Sequence, residues 1–242
     1  MTHISLVNHA VLSLTSTGRT SGLVVECGYG MTHVVPVADS FPLTYASRRV
    51  DVGGDDLTMY ISKLLQQRGF VFTQMRENVV EIGIKEGHAY VALDFDAEMS
   101  TYPSDSVEYE LPDGSSLKLG REVVQCAEAL FRPSLLGGVE TRGLHEAVVQ
   151  TVASCDAELR DTMWRSIVLA GGSSRLRGLG RRLEKEVGSV AGNGVVAVVD
   201  PAAHSFMAWV GGSIVASMST FRDAGLSKEE YEECGPNTIQ YR

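Results

Sequence analysis

Two short apolar runs on either side of a glycine-rich tip restrict the fold more than any other feature of the chain. The runs are LVVEC and MTHVVPV, and Gly28-Tyr29-Gly30 separates them. Runs rich in β-branched residues around a short, glycine-bearing loop are typical of a β-hairpin. Backbone N–H groups at such a tip can face a phosphate. The tyrosine between the two glycines is unusual for that role.

Strands and helices alternate along the rest of the chain. RRVDVGGDDLTMYISKLLQQRGF predicts a strand followed by a helix that Asp55 or Asp56 caps and that ends near Arg68 and Gly69. We also predict strands in YVALDF, SIVLAGGSS and GVVAVVD, a hairpin in VEYELPDGSSLKL, and helices in residues 6–14, REVVQCAEALF, LHEAVVQTVASC, DAELRDTMW, GLGRRLEKEVG, FMAWVGGSIVASM and LSKEEYEECG. This alternation indicates an α/β or α+β fold.

Composition excludes several classes of function. The chain has 242 residues, is 44% hydrophobic and carries a net charge of −9, which suits a packed core and argues against nucleic acid as a partner. Four scattered cysteines, without a CxxC pair, indicate reduced thiols in an intracellular protein and disfavour a zinc site. No apolar run approaches the roughly 18 residues of a membrane span, so we expect no membrane insertion.

Glycine pairs recur at the ends of predicted elements. They are Gly28/Gly30, Gly53/Gly54, Gly171/Gly172 and Gly211/Gly212. None matches GxxxxGK[ST], and none makes GxGxxG after a strand. One such pair by itself is most simply a tight connection. Three of the pairs lie beside strands or helix starts, where N–H groups can face a phosphate, and together they favour nucleotide binding.

Some residues have a plain structural alternative. His33 is either a base that orients water or an ordinary strand histidine. Trp164 and Trp209 are expected in the core, and Lys85-Glu86 is most simply a solvated pair.

Seven collinear segments resemble actin. They are VLSLTSTGRTSGLVVECGYGMTHVVPV, RRVDVGGDDLTMYISKLLQQRGF, YVALDF, YELPDG, EALFRPSLLG, IVLAGGSSRLRG and WVGGSIVASMSTF with LSKEEYEECGP. They follow actin's order at nearly actin's spacing and cover almost the whole chain, while the closing GPNTIQYR departs from the actin C-terminus. The chain is therefore identified as a member of the actin and actin-related family.

The resemblance implies an α/β, actin-like ATPase fold of the ribonuclease H-like type. It covers the later part of actin only, so we expect essentially one lobe plus the C-terminal helices of the other. Residues 1–17 would be a hinge-side helix, 18–52 and 139–206 the inner subdomain, 53–138 the inserted tip subdomain, and 207–242 the returning helices.

The resemblance also implies a set of site residues around ECGYG, which matches the family's second phosphate loop. Glu26 and Tyr29 stand where actins have two aspartates that hold metal-bound water, and His9 stands where a glutamine positions the attacking water. The implied catalytic residues are therefore Glu26, His33 and His9, with Glu26 also holding a metal through water. The implied nucleotide-binding residues are Gly28, Tyr29, Gly30, Gly54, Lys85, Glu86, Gly171, Gly172 and Ser173. Arg175 and Leu176 replace the Met-Tyr of actins.

These replacements predict degraded ATPase chemistry. A phenol titrates near pH ~10, so Tyr29 stays neutral and is a poor partner for Mg²⁺. Binding of ATP or ADP with Mg²⁺ is expected to be weak or lost, and hydrolysis weak or absent.

Three functions fit this picture. The favoured one is a truncated, divergent actin-like protein with a structural role in cytoskeletal or multi-subunit assembly. The first alternative is an active ATP-binding and hydrolysing actin-related protein whose nucleotide switches its contacts. The second is a non-functional fragment or incomplete gene model. Under the favoured reading the chain lies in the cytoplasm and cytoskeleton, with the nucleus as an alternative.

The partners implied are actin, actin-like subunits or a multi-subunit complex. In a whole actin, the first and last helices pack on chain that precedes this sequence in the family. We therefore expect incomplete cover over apolar residues of these helices, namely Val7, Val11, Leu14, Trp209, Val210 and Ile214.

Overall fold

The computed structural model describes residues 3–70, 77–103, 107–111, 113–137, 142–191, 196–201, 204–235 and 238. The strands in these residues are β1 (His3–Ile4), β2 (Gly22–Cys27), β3 (Thr32–Ala38), β4 (Phe41–Pro42), β5 (Arg48–Val50), β6 (Val107–Glu110), β7 (Ser116–Leu119), β8 (Ile167–Ala170), β9 (Val198–Val199) and β10 (Leu226–Ser227). The α-helices are α1 (His9–Thr15), α2 (Gly54–Gln67), α3 (Glu77–His88), α4 (Phe95–Thr101), α5 (Glu122–Glu128), α6 (Leu144–Ser154), α7 (Ala157–Arg165), α8 (Leu179–Gly188), α9 (Met207–Ser217), α10 (Phe221–Ala224) and α11 (Lys228–Cys234).

A mixed, six-stranded sheet forms the centre of the fold. Its strand order is β4-β3-β2-β8-β9, and β5 also pairs with β3. The hairpin of β2 and β3 is antiparallel with Glu26 opposite His33, whereas β2 and β8 are parallel with Leu23 opposite Ile167. The predicted hairpin and the α/β class are thus confirmed.

The alternation of side chains along β2 divides the core into two clusters. Leu23, Val25 and Cys27 belong to a large cluster that continues into α2, α5, α6 and α8. Val24 belongs to a small cluster with residues of α1 and with Met207. Successive strand residues point to opposite faces, so each cluster lies on one face of the sheet.

Helix α2 confirms its predicted apolar face, since Leu57, Tyr60, Ile61, Leu64 and Leu65 are all buried. Its N-cap is Gly53 rather than an aspartate. The Asp56 carboxylate instead accepts from the Gly53 N–H at 2.7 Å from within the first turn. The helix ends at Arg68 and Gly69, as expected.

Helix α1 is shorter than predicted. Asn8 caps it by accepting from the Ala10 N–H, so the helix starts at His9. Leu6 and Val7 precede it and are exposed, whereas Val11 and Leu14 are buried. The expectation of missing cover is therefore wrong for Val11 and Leu14, because α9 packs on α1.

YVALDF, predicted as a strand, is irregular apart from one parallel bridge between Tyr90 and Arg177. The reason is local: Asp94 caps α4 by accepting from the Ala97 N–H at 3.1 Å, which turns the chain into a helix at once. The apolar run GVVAVVD contributes only the two residues of β9, and its first two residues lie outside the described part of the chain.

Trp164 packs partly buried against the large cluster, as expected, but Trp209 is 73% exposed and is not a core residue. The capping box predicted from LSKEEYEECG is present, since Ser227 and Glu230 bond reciprocally at the start of α11. The division into subdomains stays a prediction. Within the described residues, no helix is long and apolar enough to cross a membrane.

Candidate functional site

The first turn of α2 packs directly on the tip of the β2–β3 hairpin. The Gly54 N–H donates to the Gly28 carbonyl at 2.9 Å, and the Asp55 N–H donates to the Tyr29 carbonyl at 2.8 Å. N–H groups at a helix N-terminus are the usual donors to a bound anion. Here they are engaged by the hairpin itself, so they do not point at a ligand.

Two of the predicted glycines permit close backbone approach. A Cβ atom on Gly54 would lie 2.6 Å from Ser173 Oγ. Gly171 has φ +86°, and a Cβ there would lie 2.4 Å from the Cys27 carbonyl oxygen. Glycine avoids both clashes and adopts positive φ without strain. These glycines join β2, α2 and the turn after β8 into one compact unit.

A cavity of ≈ 260 Å³ opens beside this unit. Six of the predicted nucleotide-binding residues line it, namely Tyr29, Gly54, Lys85, Glu86, Gly172 and Ser173. Gly28, Gly30 and Gly171 do not line it; Gly28 supports it by accepting from Ser173 Oγ at 3.2 Å. The structure therefore brings together positions that are 144 residues apart in the chain, from 29 to 173.

Lys85 is not the solvated residue that its local sequence suggests. Its ammonium donates to the Gly54 carbonyl at 2.7 Å and to Thr58 Oγ1 at 2.8 Å, and the side chain is buried. Burial lowers the pKa of this amine. Glu86, its neighbour, is exposed as expected.

The three residues predicted as catalytic form a separate cluster on the α1 face of the sheet. His9 Nδ1 bonds the Glu26 carboxylate, and the His9 and His33 rings lie 5.6 Å apart between centroids. The bond to Glu26 raises the pKa of His9. Partial burial, with His9 nearby, lowers the pKa of His33. The carboxylate of Glu26 thus has a hydrogen-bond partner from its own chain.

Tyr29 points to α2. Its hydroxyl donates to Asp55 Oδ1 at 2.6 Å, and this bond to a carboxylate raises the pKa of the phenol. Tyr29 therefore stays neutral and cannot act as an anionic oxygen ligand.

These donors do not fit a magnesium site. Mg²⁺ selects carboxylate, phosphate and water oxygens at nearly octahedral positions. The hairpin offers only Glu26, which His9 already binds. Among the described residues, no group of three or more His, Cys, Asp or Glu side chains could hold a metal ion.

Sequence reasoning missed Leu57 and Ser205, which also line the cavity. Arg175 and Leu176, which replace the Met-Tyr of actins, line it as well. Behind its wall, Ser174 Oγ lies 2.6 Å from His204 Nδ1, and His204 Nε2 lies 2.7 Å from Asp200. The order of these residues resembles a hydrolase triad, but Ser174 is buried and its hydroxyl also donates to the Gly171 carbonyl. This series of hydrogen bonds therefore stabilises the turn after β8. GGSS after a strand was the only sequence signal for it.

The fold and the glycine-rich junction agree with the comparison to known families. The family model for actin matches residues 1–242. The chain belongs to the actin family.

Proposed function

We propose that this chain is a structural subunit of a cytoskeletal or multi-subunit protein assembly, with adenine-nucleotide binding that is residual at best. Its partners would be actin-like subunits or other proteins of the complex. The cytoplasm and cytoskeleton are the proposed location, and the nucleus is the alternative.

The observation that carries this proposal is the exposed side of α9. The helix has no charged residue, yet only Met207 and Gly211 are buried in it. Trp209, Ile214 and the flanking Phe206 and Met218 are all exposed to solvent. Contiguous exposed apolar surface usually marks a protein–protein interface. An uncharged helix covered on one side only is typical of a subunit that contacts a neighbour.

The β2–β3 hairpin supports the proposal that adenine-nucleotide binding is residual at best. Metal assistance contributes several kcal/mol of charge stabilisation to phosphoryl transfer, and positioning donors contribute most of the rest. In this chain Glu26 is bound to His9, Tyr29 to Asp55, and the first N–H groups of α2 to the hairpin carbonyls. Each of these groups is engaged internally.

The cavity favours a second candidate, an ATP-binding actin-related protein whose nucleotide state switches its contacts. Six predicted residues from four parts of the chain line one space. Under this candidate, Mg²⁺–ATP would bind and turn over, and the association state would change with the nucleotide.

Two measurements on the purified chain separate these candidates. Sedimentation velocity at micromolar concentration should show self-association or a co-purified partner. A Trp209→Ser/Ile214→Ser double variant should shift the chain to monomer. The control Val190→Ser, at an exposed apolar position in the turn after α8, should not. A stable monomer with no dye-binding apolar surface contradicts the structural proposal.

Phosphate release with Mg²⁺–ATP is the second measurement. We expect no steady turnover above the blank. Turnover that Glu26→Ala abolishes would instead establish the ATPase candidate.

A further inference from the structure

A row of basic side chains runs along the outer side of α8. Arg181 and Lys185 lie one turn apart on the same face of the helix, Arg177 lies four residues before Arg181, and all three are exposed. The Val91 N–H donates to the Arg177 carbonyl at 2.8 Å, and the Lys185 ammonium donates to the Leu93 carbonyl at 2.9 Å. Both ends of this basic row are therefore fixed along one short segment of the chain.

The positive charge of the basic row is not neutralised by its surroundings. Among the described residues, none of its three members forms an ion pair. The Arg177 guanidinium lies over the Tyr90 ring, 5.9 Å from its centroid, and a guanidinium stacked in this way still presents its N–H edge to a carboxylate. The first turn of α8 contains no acidic residue, so the positive end of the helix dipole adds to the row. This surface suits a partner that carries carboxylates.

Helix α11 carries such carboxylates in a matching arrangement. Glu229, Glu232 and Glu233 are exposed, and their spacing places them on one side of the helix, the acidic face. No residue of α11 is buried, and Lys228 lies 3.6 Å from Glu232. The acidic face covers four residue steps, about 6 Å along a helix, which is also the distance between the two α8 members of the basic row. The two surfaces are thus complementary in charge and in length.

We propose that the basic row of one copy of this chain binds the acidic face of α11 in a second copy, through pairs of arginine or lysine with glutamate. Because the two surfaces differ, the contact is heterologous, and such contacts extend into open chains unless they close into a ring. Exposed ion pairs are individually weak, so this contact adds to association through α9 and does not replace it. The inference rests on the proposed function, because it names a partner for the structural subunit.

The salt dependence of self-association tests whether charge contributes to it. In sedimentation velocity of the full chain, the association constant should fall about tenfold between about 0.05 M and about 0.5 M NaCl, because salt screens exposed charges. Association through apolar surface alone would not weaken in this way. An association constant that is unchanged or larger at high salt would overturn the inference.

Two charge-reversed variants identify the surfaces. Arg177→Glu/Arg181→Glu makes the basic row acidic, and Glu232→Lys/Glu233→Lys makes the acidic face basic. Each variant by itself should associate about tenfold or more weakly than the parent chain, because like charges then meet. An equimolar mixture of the two should associate as the parent does, since each reversed surface finds an opposite charge on the other variant. A structural defect in either variant would not be rescued by mixing.

The matched control is Arg19→Glu/Arg222→Glu, which makes the same change in net charge at two exposed arginines in the turn after α1 and on α10. It should associate as the parent chain does. Equal weakening in the control would mean that net charge, and not the basic row, determines association, which would overturn the inference. Melting curves of each variant exclude a loss of fold.

The outcomes separate this inference from the proposed function. If both charge-reversed variants associate as the parent does while Trp209→Ser/Ile214→Ser shifts to monomer, the contact is wrong and the structural role remains. A parent chain that is monomeric at micromolar concentration removes both. Binding of the parent to phosphatidylserine vesicles that Arg177→Glu/Arg181→Glu abolishes, without self-association, would assign the row to a membrane surface and overturn the inference.

Discussion

The two faces of the central sheet begin from the same strand and end differently. β2 sends Leu23 and Val25 to one face and Val24 to the other, and all three are fully buried. The first face continues into a large core closed by several helices. The second is covered by α1 and α9, and α9 leaves apolar residues on its outer side. Equal hydrophobicity of the residues on the two faces of a strand therefore does not determine whether the layer packed on each face is fully buried within one chain.

The first face is closed by charges as well as by apolar contacts. Arg182, on α8, donates to the Glu128 carboxylate through both Nη atoms at 3.1 Å, and its Nε lies 2.6 Å from Glu186. Arg132 also reaches Glu128, at 3.1 Å. The Arg182 guanidinium lies over the Phe131 ring at 4.9 Å from its centroid. The second face has no comparable buried ion pair among its described residues.

The largest effect should come from breaking this network. Glu128 is 1% exposed, so Glu128→Ala leaves a buried guanidinium short of its main partner. We expect a loss of roughly 3–5 kcal/mol in the free energy of unfolding, measured by urea denaturation. The control Asp161→Ala breaks the exposed Arg165 pair, which should cost about 0–1 kcal/mol. Similar losses in both variants would contradict the difference between a closed core and a solvated surface.

The next test compares the two sides of α9. Met207 is 2% exposed in the small cluster and Trp209 is 73% exposed. Met207→Ala should therefore cost about 2–5 kcal/mol of unfolding free energy, whereas Trp209→Ala should change it by no more than about 0.5 kcal/mol. Thermal unfolding of the dilute monomer measures both. A large loss for Trp209→Ala would mean that the outer side of α9 is covered in the isolated chain.

A pair of neighbouring glycines tests how tightly α9 crosses α1. A Cβ on Gly211 would lie 1.8 Å from the Leu12 carbonyl oxygen, whereas a Cβ on Gly212 would meet only Leu12 Cδ1, at 3.8 Å. Gly211→Ala should cost roughly 1–3 kcal/mol through overpacking. Gly212→Ala should be neutral or stabilise by up to about 1 kcal/mol, because alanine favours a helix. Chemical denaturation measures the free energy of unfolding of both variants, which are compared with the same slope of free energy against denaturant concentration.

The smallest effect concerns pH on the second face. The Glu26 carboxylate raises the pKa of His9 above its ordinary value of 6.5. The interaction between His9 and Glu26 therefore stabilises the fold fully below pH 6.5, the ordinary pKa of histidine. This stabilisation is lost as pH rises through the higher pKa of His9 in the folded state. The parent chain should exceed His9→Gln in stability by more at about pH 6 than at about pH 9. Burial lowers the pKa of His204, so His204→Gln should show the opposite trend.

Local features of the fold could be predicted from the sequence because they depend on neighbours in the chain. The hairpin around Gly28-Tyr29-Gly30, the apolar face of α2 and the capping box at Ser227 follow from alternation, helical spacing and capping chemistry. The failures are also informative. YVALDF has a strand-like composition, but the cap at Asp94 converts the chain to helix, and a short apolar run does not distinguish the two.

The candidate site was predictable as a set of positions but not as an arrangement. The resemblance to actin named six residues that line one cavity and three that form the cluster of His9, Glu26 and His33, while Gly28, Gly30 and Gly171 lie in neither. It did not reveal that Tyr29 binds Asp55 or that Lys85 is buried. Those contacts join residues that are 26 to 31 positions apart in the chain. Their partners are chosen by packing, which no local pattern records.

The sequence by itself determined which residues are apolar, where the chain turns and which helices have caps, since each depends on steric and hydrogen-bonding preferences within a few residues. Only the tertiary structure decided that Met207 of α9 is buried and Trp209 of the same helix is exposed. Apolar residues lie all around α9, so its sequence has no periodic pattern that would distinguish the two sides. Only the tertiary structure decided that His9 engages Glu26 and that α2 uses its first N–H groups on the hairpin. Burial and pairing depend on which elements meet, and that is a property of the whole chain.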